Sequence, residues 1–266
     1  MNEDVEKISQ IAFDDAMRSL RKAMSEVAVE KRKVISEGEA IDPVAAAFEM
    51  HEYDQDFEAW KEDSELPRRW QKSLTTHLGR LHQDLLGALE GWESFHPDPK
   101  KEEKRPSEPD LVGRIGTQKV IVELKSSQNT FNGSSKSNAY DGLCARLDGT
   151  ENDGKYGEGY IGIVVLLRTN TGKKGLWAPF TAGKDRPERR DLWRMGGRTF
   201  YALATDVERR PFLANGKNNK PADLEGWASW KSIDDVFTRI FSTLEAQGGK
   251  PVPSEIKDLV KNVYEY

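Results

Sequence analysis

The sequence predicts an α/β protein with a mixed central sheet flanked by helices and a helical region ahead of it. Three observations carry this. Residues 3–36 contain neither Pro nor Gly and repeat apolar side chains at helical spacing. From residue 110 onward, short β-branched runs replace that pattern. A helical segment separates two of those runs, which makes the order helix, strand, strand, helix, strand.

Each element follows from its residues. Ile8, Ile11, Ala12, Met17, Leu20, Met24 and Val27 line one face of a long amphipathic helix that Gly38 ends. Asp42-Pro43 reads as an N-cap followed by Pro at the first helical position, opening a second helix toward Asp63. A third helix runs from Leu66 to Trp92, with Trp70, Leu74, Leu78, Leu81, Leu85, Leu86 and Leu89 in one stripe. The charged, proline-rich stretch 96–109 is a loop. Strands are expected at Leu111–Ile115, Lys119–Leu124, Tyr160–Leu167 and Thr199–Ala204, and a helix at Ser137–Leu147. Helices at Ile233–Ala246 and Ser254–Val263 close the chain. The expected domains are residues 1–65, a helical region for dimerisation or for covering the sheet, and residues 66–266, the α/β domain.

The 266 residues suffice for one large domain or a core with an appended subdomain. Charged residues make up 32% and mean hydropathy is −0.73, yet 24 aromatic residues can build a core. No run approaches the ~20 apolar residues of a membrane span, and the acidic start MNEDVEKISQ lacks a secretory apolar region. A single cysteine, Cys144, excludes an internal disulfide framework, which makes the cytoplasm the expected compartment. Cys144 itself reads as core. The four His show no zinc-binding spacing, and neither a phosphate-binding Gly-rich loop nor a Gly-x-Ser-x-Gly elbow is present.

The net charge of −5 is unevenly spread. Residues 1–66 hold 18 acids and 8 bases, whereas residues 168–220 hold 13 bases and 5 acids. The second segment is a local basic surface of the kind a phosphate backbone attracts.

The most informative stretch is PDLVGRIGTQKVIVELKSS, residues 109–127. Gly116-Thr117 fits the two-residue loop of a type II′ hairpin. In that register Ile115 pairs with Gln118, and Asp110 falls opposite Glu123. One face then carries Asp110, Val112, Arg114, Lys119, Ile121, Glu123 and Lys125; the other, expected to be buried, carries Leu111, Gly113, Ile115, Gln118, Val120, Val122 and Leu124. Opposed carboxylates destabilise a strand pair. A divalent cation between them reverses the sign, since carboxylates ~5 Å apart both reach Mg²⁺ at ~2.1 Å. Lys125, two residues on from Glu123, places an ammonium where hydroxide or a developing phosphorane charge needs one. Acid, then acid-x-Lys on the adjacent strand, is a pattern for metal-assisted phosphodiester hydrolysis.

These residues resemble the PD-(D/E)xK nuclease superfamily: Pro109-Asp110 matches its first element, Glu123-Leu124-Lys125 its second. The string ELKSSQNTFNGSSKSNAYDGL (123–143) and the helix LGRLHQDLLGALEGW (78–92) resemble type II restriction endonucleases of the group that cuts GGNCC-like sites. The resemblance covers residues 70–145. It implies a PD-(D/E)xK restriction-endonuclease-like core, Mg²⁺ with Mn²⁺ as a substitute, a homodimer on double-stranded DNA, and a separate methyltransferase protecting host DNA. Carried over by position, Asp110, Glu123 and the Leu124 carbonyl would hold the metal, and Lys125 would position the water. Where many members add a Glu from the preceding helix, this chain offers His82, Gln83 and Asp84.

Two polar segments are candidates for DNA contact. Residues 126–140 supply Gln128, Asn129, Asn132, Lys136 and Asn138 for phosphates or base edges. Residues 184–198 supply Arg186, Arg189, Arg190, Arg194 and Arg198, and Arg suits guanine. The resulting expectation is a Mg²⁺-dependent type II restriction endonuclease that cuts a short G·C-containing palindrome and leaves 5′-phosphate ends. The alternatives are a structure-specific repair or recombination nuclease of the same fold and an inactive DNA-binding protein.

Overall fold

The structure is a computed structural model, and it describes residues 5–36, 41–96, 108–126, 133–168, 177–210, 224–248 and 250–264. Two compact units are resolved: Phe13–His82 forms one, and the segments 1–12 and 83–266 form the other.

The first unit is helical. Helix α1 spans Gln10–Ser36 and α2 spans Pro43–Glu52. Asp42 caps α2 through its side chain, which accepts from Val44 and Ala45 N–H, with Pro43 at the first position as expected. The second helix does not continue to Asp63. Asp54 adopts φ 49°, and the Asp56 side chain caps a new helix, α3 (Phe57–Trp60). Asp54 and Asp56 thus turn the chain and restart it as a new helix. A π-helical turn, Lys61–Glu65, leads into α4 (Leu66–Gly87). Within this unit buried Trp60 donates its indole N–H to Glu49, 2.8 Å away.

The second unit holds a six-stranded mixed sheet in the order β1-β2-β3-β4-β6-β5. Its strands are β1 (Glu93–Ser94), β2 (Leu111–Ile115), β3 (Gln118–Lys125), β4 (Tyr160–Leu166), β5 (Trp177–Pro179) and β6 (Leu192–Gly196). Strands β3, β4 and β6 run parallel, and the remaining pairings are antiparallel. Helix α5 (Gly133–Leu147) connects β3 to β4 and packs Ala139, Tyr140, Leu143 and Leu147 on Ile121, Val164 and Leu166. Cys144 packs partly buried against the same cluster. On the other face Gly113 lies under the Trp92 ring, so close that a Cβ would stand 2.3 Å from it. Trp92 in turn meets Phe200 edge-on at 5.4 Å.

Three expectations are corrected here. Thr199–Ala204 is not a strand; it belongs to helix α6 (Gly197–Ala204), every residue of which is buried. Arg198 at its start is satisfied internally by Asp234, and the apolar run Phe200–Ala204 that follows is buried on every side, so it reads like a buried strand. The strand in this region is β6, hidden within the basic segment. The third helix stops at Gly87, and residues 88–92 turn, with Gly91 at φ 78°. Finally, both faces of the β2–β3 hairpin are buried near its middle. Ile121, on the face expected to be polar, is fully covered by the α5 cluster. Helices α7 (Ser232–Gly248) and α8 (Ser254–Tyr264) complete the chain near the expected places.

Candidate active site

The hairpin forms in the expected register. Gly116 takes φ 59°, Thr117 does not share the positive φ, and Ile115 pairs with Gln118 and Leu111 with Val122. Asp110 is the residue before β2, one step beyond that last pair. It therefore lies across from Glu123, near the end of β3.

Its backbone is tied down on one side. The Asp110 carbonyl accepts from Phe95 N–H at 3.1 Å and from the Gln83 side-chain amide at 2.7 Å. The same Gln83 nitrogen donates to the Phe95 carbonyl at 2.5 Å. Buried Gln83 thus braces the entry to the site from α4. Beside it Asp84 pairs with His96 at 2.5 Å. Where a helix Glu was absent from the sequence, the helix contributes a buried amide to the position of Asp110.

The side chains form a compact charged group. Asp110 Oδ2 accepts the Leu124 N–H at 2.7 Å. Glu123 Oε2 lies 3.2 Å from Lys125 Nζ, and Glu123 Oε1 lies 3.0 Å from Nη1 of Arg146. Arg146 is only 3% exposed and was not singled out from the sequence. It stands 23 residues beyond Glu123 on α5, so only the β3–α5–β4 connection brings the two together. Burial, with the Glu123 charge second, pushes the Asp110 carboxyl up to about 6. Lys125, the Leu124 N–H and Arg146 offset this only in part. A half-buried carboxylate beside another carboxylate is a site that favours a proton or a cation.

The donor set fits a hard divalent cation. Asp110 and Glu123 supply carboxylate oxygens, and the Leu124 carbonyl lies between Glu123 and Lys125 in the chain. Among the described residues no three His, Cys, Asp or Glu side chains converge, so any further oxygen would come from backbone, water or substrate.

The DNA-contact candidates fall into three groups. Gln128, Asn129 and Asn132 lie outside the described residues. Arg186 makes a two-pronged pair with Asp141 at 2.7 Å, Arg189 bridges Asp148 and Asp191, and buried Arg198 forks onto Asp234 and also donates to the Trp230 carbonyl. Lys136, Asn138, Arg190 and Arg194 have no carboxylate partner among the described residues. Asn138 and Arg190 are exposed, whereas Lys136 and Arg194 are half-buried. Burial lowers the Arg194 pKa, and the Arg194 Nε has no hydrogen-bond partner. Burial, then the Arg194 charge, lowers that of Lys136. Glu123 is in register with Val164, and Val164 with Arg194, so Glu123 and Arg194 emerge on one face two strand spacings apart, ~10 Å.

Residues 5–212 match the family model described as Eco47II restriction endonuclease. The chain belongs to this family. Over 171 residues it is 28% identical to the type II restriction enzyme Eco47II of Escherichia coli, across 62% of this chain and 64% of that enzyme. The family and the mixed sheet flanked by helices agree on a restriction-endonuclease-like fold. At the level of the family, the resemblance drawn from residues 70–145 is borne out.

Proposed function

We propose that this protein is a type II restriction endonuclease that hydrolyses phosphodiester bonds in double-stranded DNA with Mg²⁺, or Mn²⁺ in its place. The observation that carries this reading is the placement of half-buried Asp110 against Glu123 and Lys125, in a chain of the Eco47II restriction endonuclease family. Asp110, Glu123 and the Leu124 carbonyl would hold the cation, which supplies Lewis acidity and a more acidic bound water when present. Lys125 orients the attacking water and stabilises charge as it grows on the phosphoryl oxygens. The buried amide of Gln83 keeps Asp110 in place during this step. Water attacks phosphorus and the P–O3′ bond breaks, so the products are a 3′-hydroxyl and a 5′-phosphate end.

Of the basic side chains, Lys136 and Arg194 are the pair we assign to a DNA phosphate beside the reacting bond, because they carry half-buried charge with no acid among the described residues to offset it. Arg190 and Asn138 are exposed and available to DNA. A palindromic, G·C-containing site read by a homodimer, and a separate methyltransferase that protects the host, complete the proposal. Among the described residues no helix is long and apolar enough to cross a membrane; the cytoplasm, where host and invading DNA meet, is the proposed compartment.

The test is a digest of unmethylated phage DNA by purified protein with Mg²⁺, with EDTA, and with Glu123→Ala in place of the wild type. Discrete fragments that need Mg²⁺ and vanish in the variant are expected, and their ends map the site. A smear, or cleavage at junctions alone, replaces this reading with a structure-specific nuclease. Intact DNA that still shifts in a gel leaves a binding protein.

A further inference from the structure

Arg146 is the one element of the charged group that the acid-x-Lys pattern does not contain. Its side chain is 3% exposed, and a guanidinium so withdrawn from water is costly unless an anion faces it. Here one such anion is Glu123 Oε1, 3.0 Å from Nη1. Gly142, one turn back on α5, lies beside that nitrogen, and a Cβ there would stand 3.7 Å from it, an ordinary contact. With Lys125 on Oε2, both oxygens of Glu123 are held by cations. The carboxylate therefore has little freedom to rotate.

The charge count has a second consequence. Asp110, Glu123 and Lys125 alone sum to −1. With Arg146 the four side chains sum to zero. A neutral centre attracts a divalent cation weakly, and a phosphate entering with the cation supplies the missing negative charge.

Resting on the nuclease reading of Asp110, Glu123 and Lys125, we propose that Arg146 is a positioning residue that fixes the Glu123 carboxylate and, by neutralising the centre, makes uptake of the divalent cation depend on the DNA phosphate. The fixed geometry comes from its planar fork, and the neutralisation comes from its charge alone. Lysine keeps the second and loses the first.

The experiment titrates Mn²⁺ into the full-length protein without DNA by calorimetry, and separately measures single-turnover cleavage and DNA affinity. Arg146→Gln is expected to bind Mn²⁺ on the order of tenfold more tightly than the wild type, and to cut more slowly at saturating metal. Arg146→Lys is expected to return Mn²⁺ affinity to the weak wild-type value while cleavage stays slow and DNA affinity is unchanged. A folded Arg146→Gln protein with wild-type Mn²⁺ affinity overturns the proposal, since a merely structural arginine would alter thermal stability alone. Should Arg146→Gln fail to fold, Arg146→Lys decides the positioning role: slowed cleavage supports it, and an unchanged rate overturns it. Glu123→Ala serves as the control. If it leaves the Mn²⁺ heat intact, the metal is held elsewhere, and the underlying reading of the site falls along with the role of Arg146.

Discussion

The hairpin end and the arginine segment are both rich in charge, but they balance it differently. In the segment 184–198, Arg186, Arg189 and Arg198 each meet carboxylates within 3 Å. At the end of β2 and β3, Lys125 and Arg146 hold Glu123, while half-buried Asp110 beside it is left without a cation of its own and is driven toward protonation. Lys136 lies close enough to Arg194 for that charge to lower its pKa, and neither has a carboxylate partner among the described residues. A net basic composition thus says little about where a polyanion would bind. Charge that the fold leaves unbalanced says more, because such an arrangement is unfavourable until a ligand completes it.

The largest effect that would test this contrast is catalytic. Glu123→Ala or Lys125→Ala should reduce cleavage by ~10²–10³-fold or more, while a gel shift on the same DNA changes little. Near-wild-type cleavage by either variant would place the chemistry elsewhere. Next comes stability in the balanced region. Arg198→Ala strands Asp234 and the Trp230 carbonyl and should cost about 3 kcal/mol in denaturant titration. Arg186→Ala, at an exposed pair, should cost far less in the same titration. Equal losses for the two would erase the distinction between a buried structural arginine and a surface one.

The unbalanced region should show the opposite sign. Because the folded Asp110 carboxyl is raised to about 6, the native state holds that proton more tightly than the unfolded chain does. The contribution of this group is most favourable below the ordinary carboxylate range. It is lost as the pH climbs to about 6, and the cost of the buried charge persists above that. In the metal-free protein Asp110→Asn should therefore raise stability at pH 7.5 by roughly 2 kcal/mol, and by little at pH 4. A gap that does not vary with pH would contradict the raised carboxyl. Smallest is the DNA contact itself: Lys136→Ala and Arg194→Ala should each reduce the slope of log affinity against log salt by about 1. Arg186→Ala should leave that slope unchanged.

How much of this was legible beforehand follows from distance along the chain. The hairpin register was readable because alternation and a Gly-Thr turn are local, and the turn sets every pair up to Leu111–Val122. The approach of Asp110 to Glu123 followed from the same count. Arg146 was invisible because its meeting with Glu123 depends on how α5 packs back across β3 and β4, which no local pattern encodes. The pairing of Arg186 with Asp141 and of Arg198 with Asp234 was hidden for the same reason: the partners stand 45 and 36 residues apart. Helix α6 was misread because burial on all sides removes the periodicity that separates helix from strand.

The margins of the sheet carry a consequence of their own. Strand β1 is two residues long, and β5 is three and ends on Pro179, which has no N–H to offer. The part of β2 left uncovered beyond β1 is Gly113–Ile115, with exposed Arg114 at its centre. A foreign strand approaching either side finds almost no ladder to extend, and a guanidinium in the way. Among the described residues the sheet therefore offers little edge for growth into fibrils or for a sheet shared between two copies.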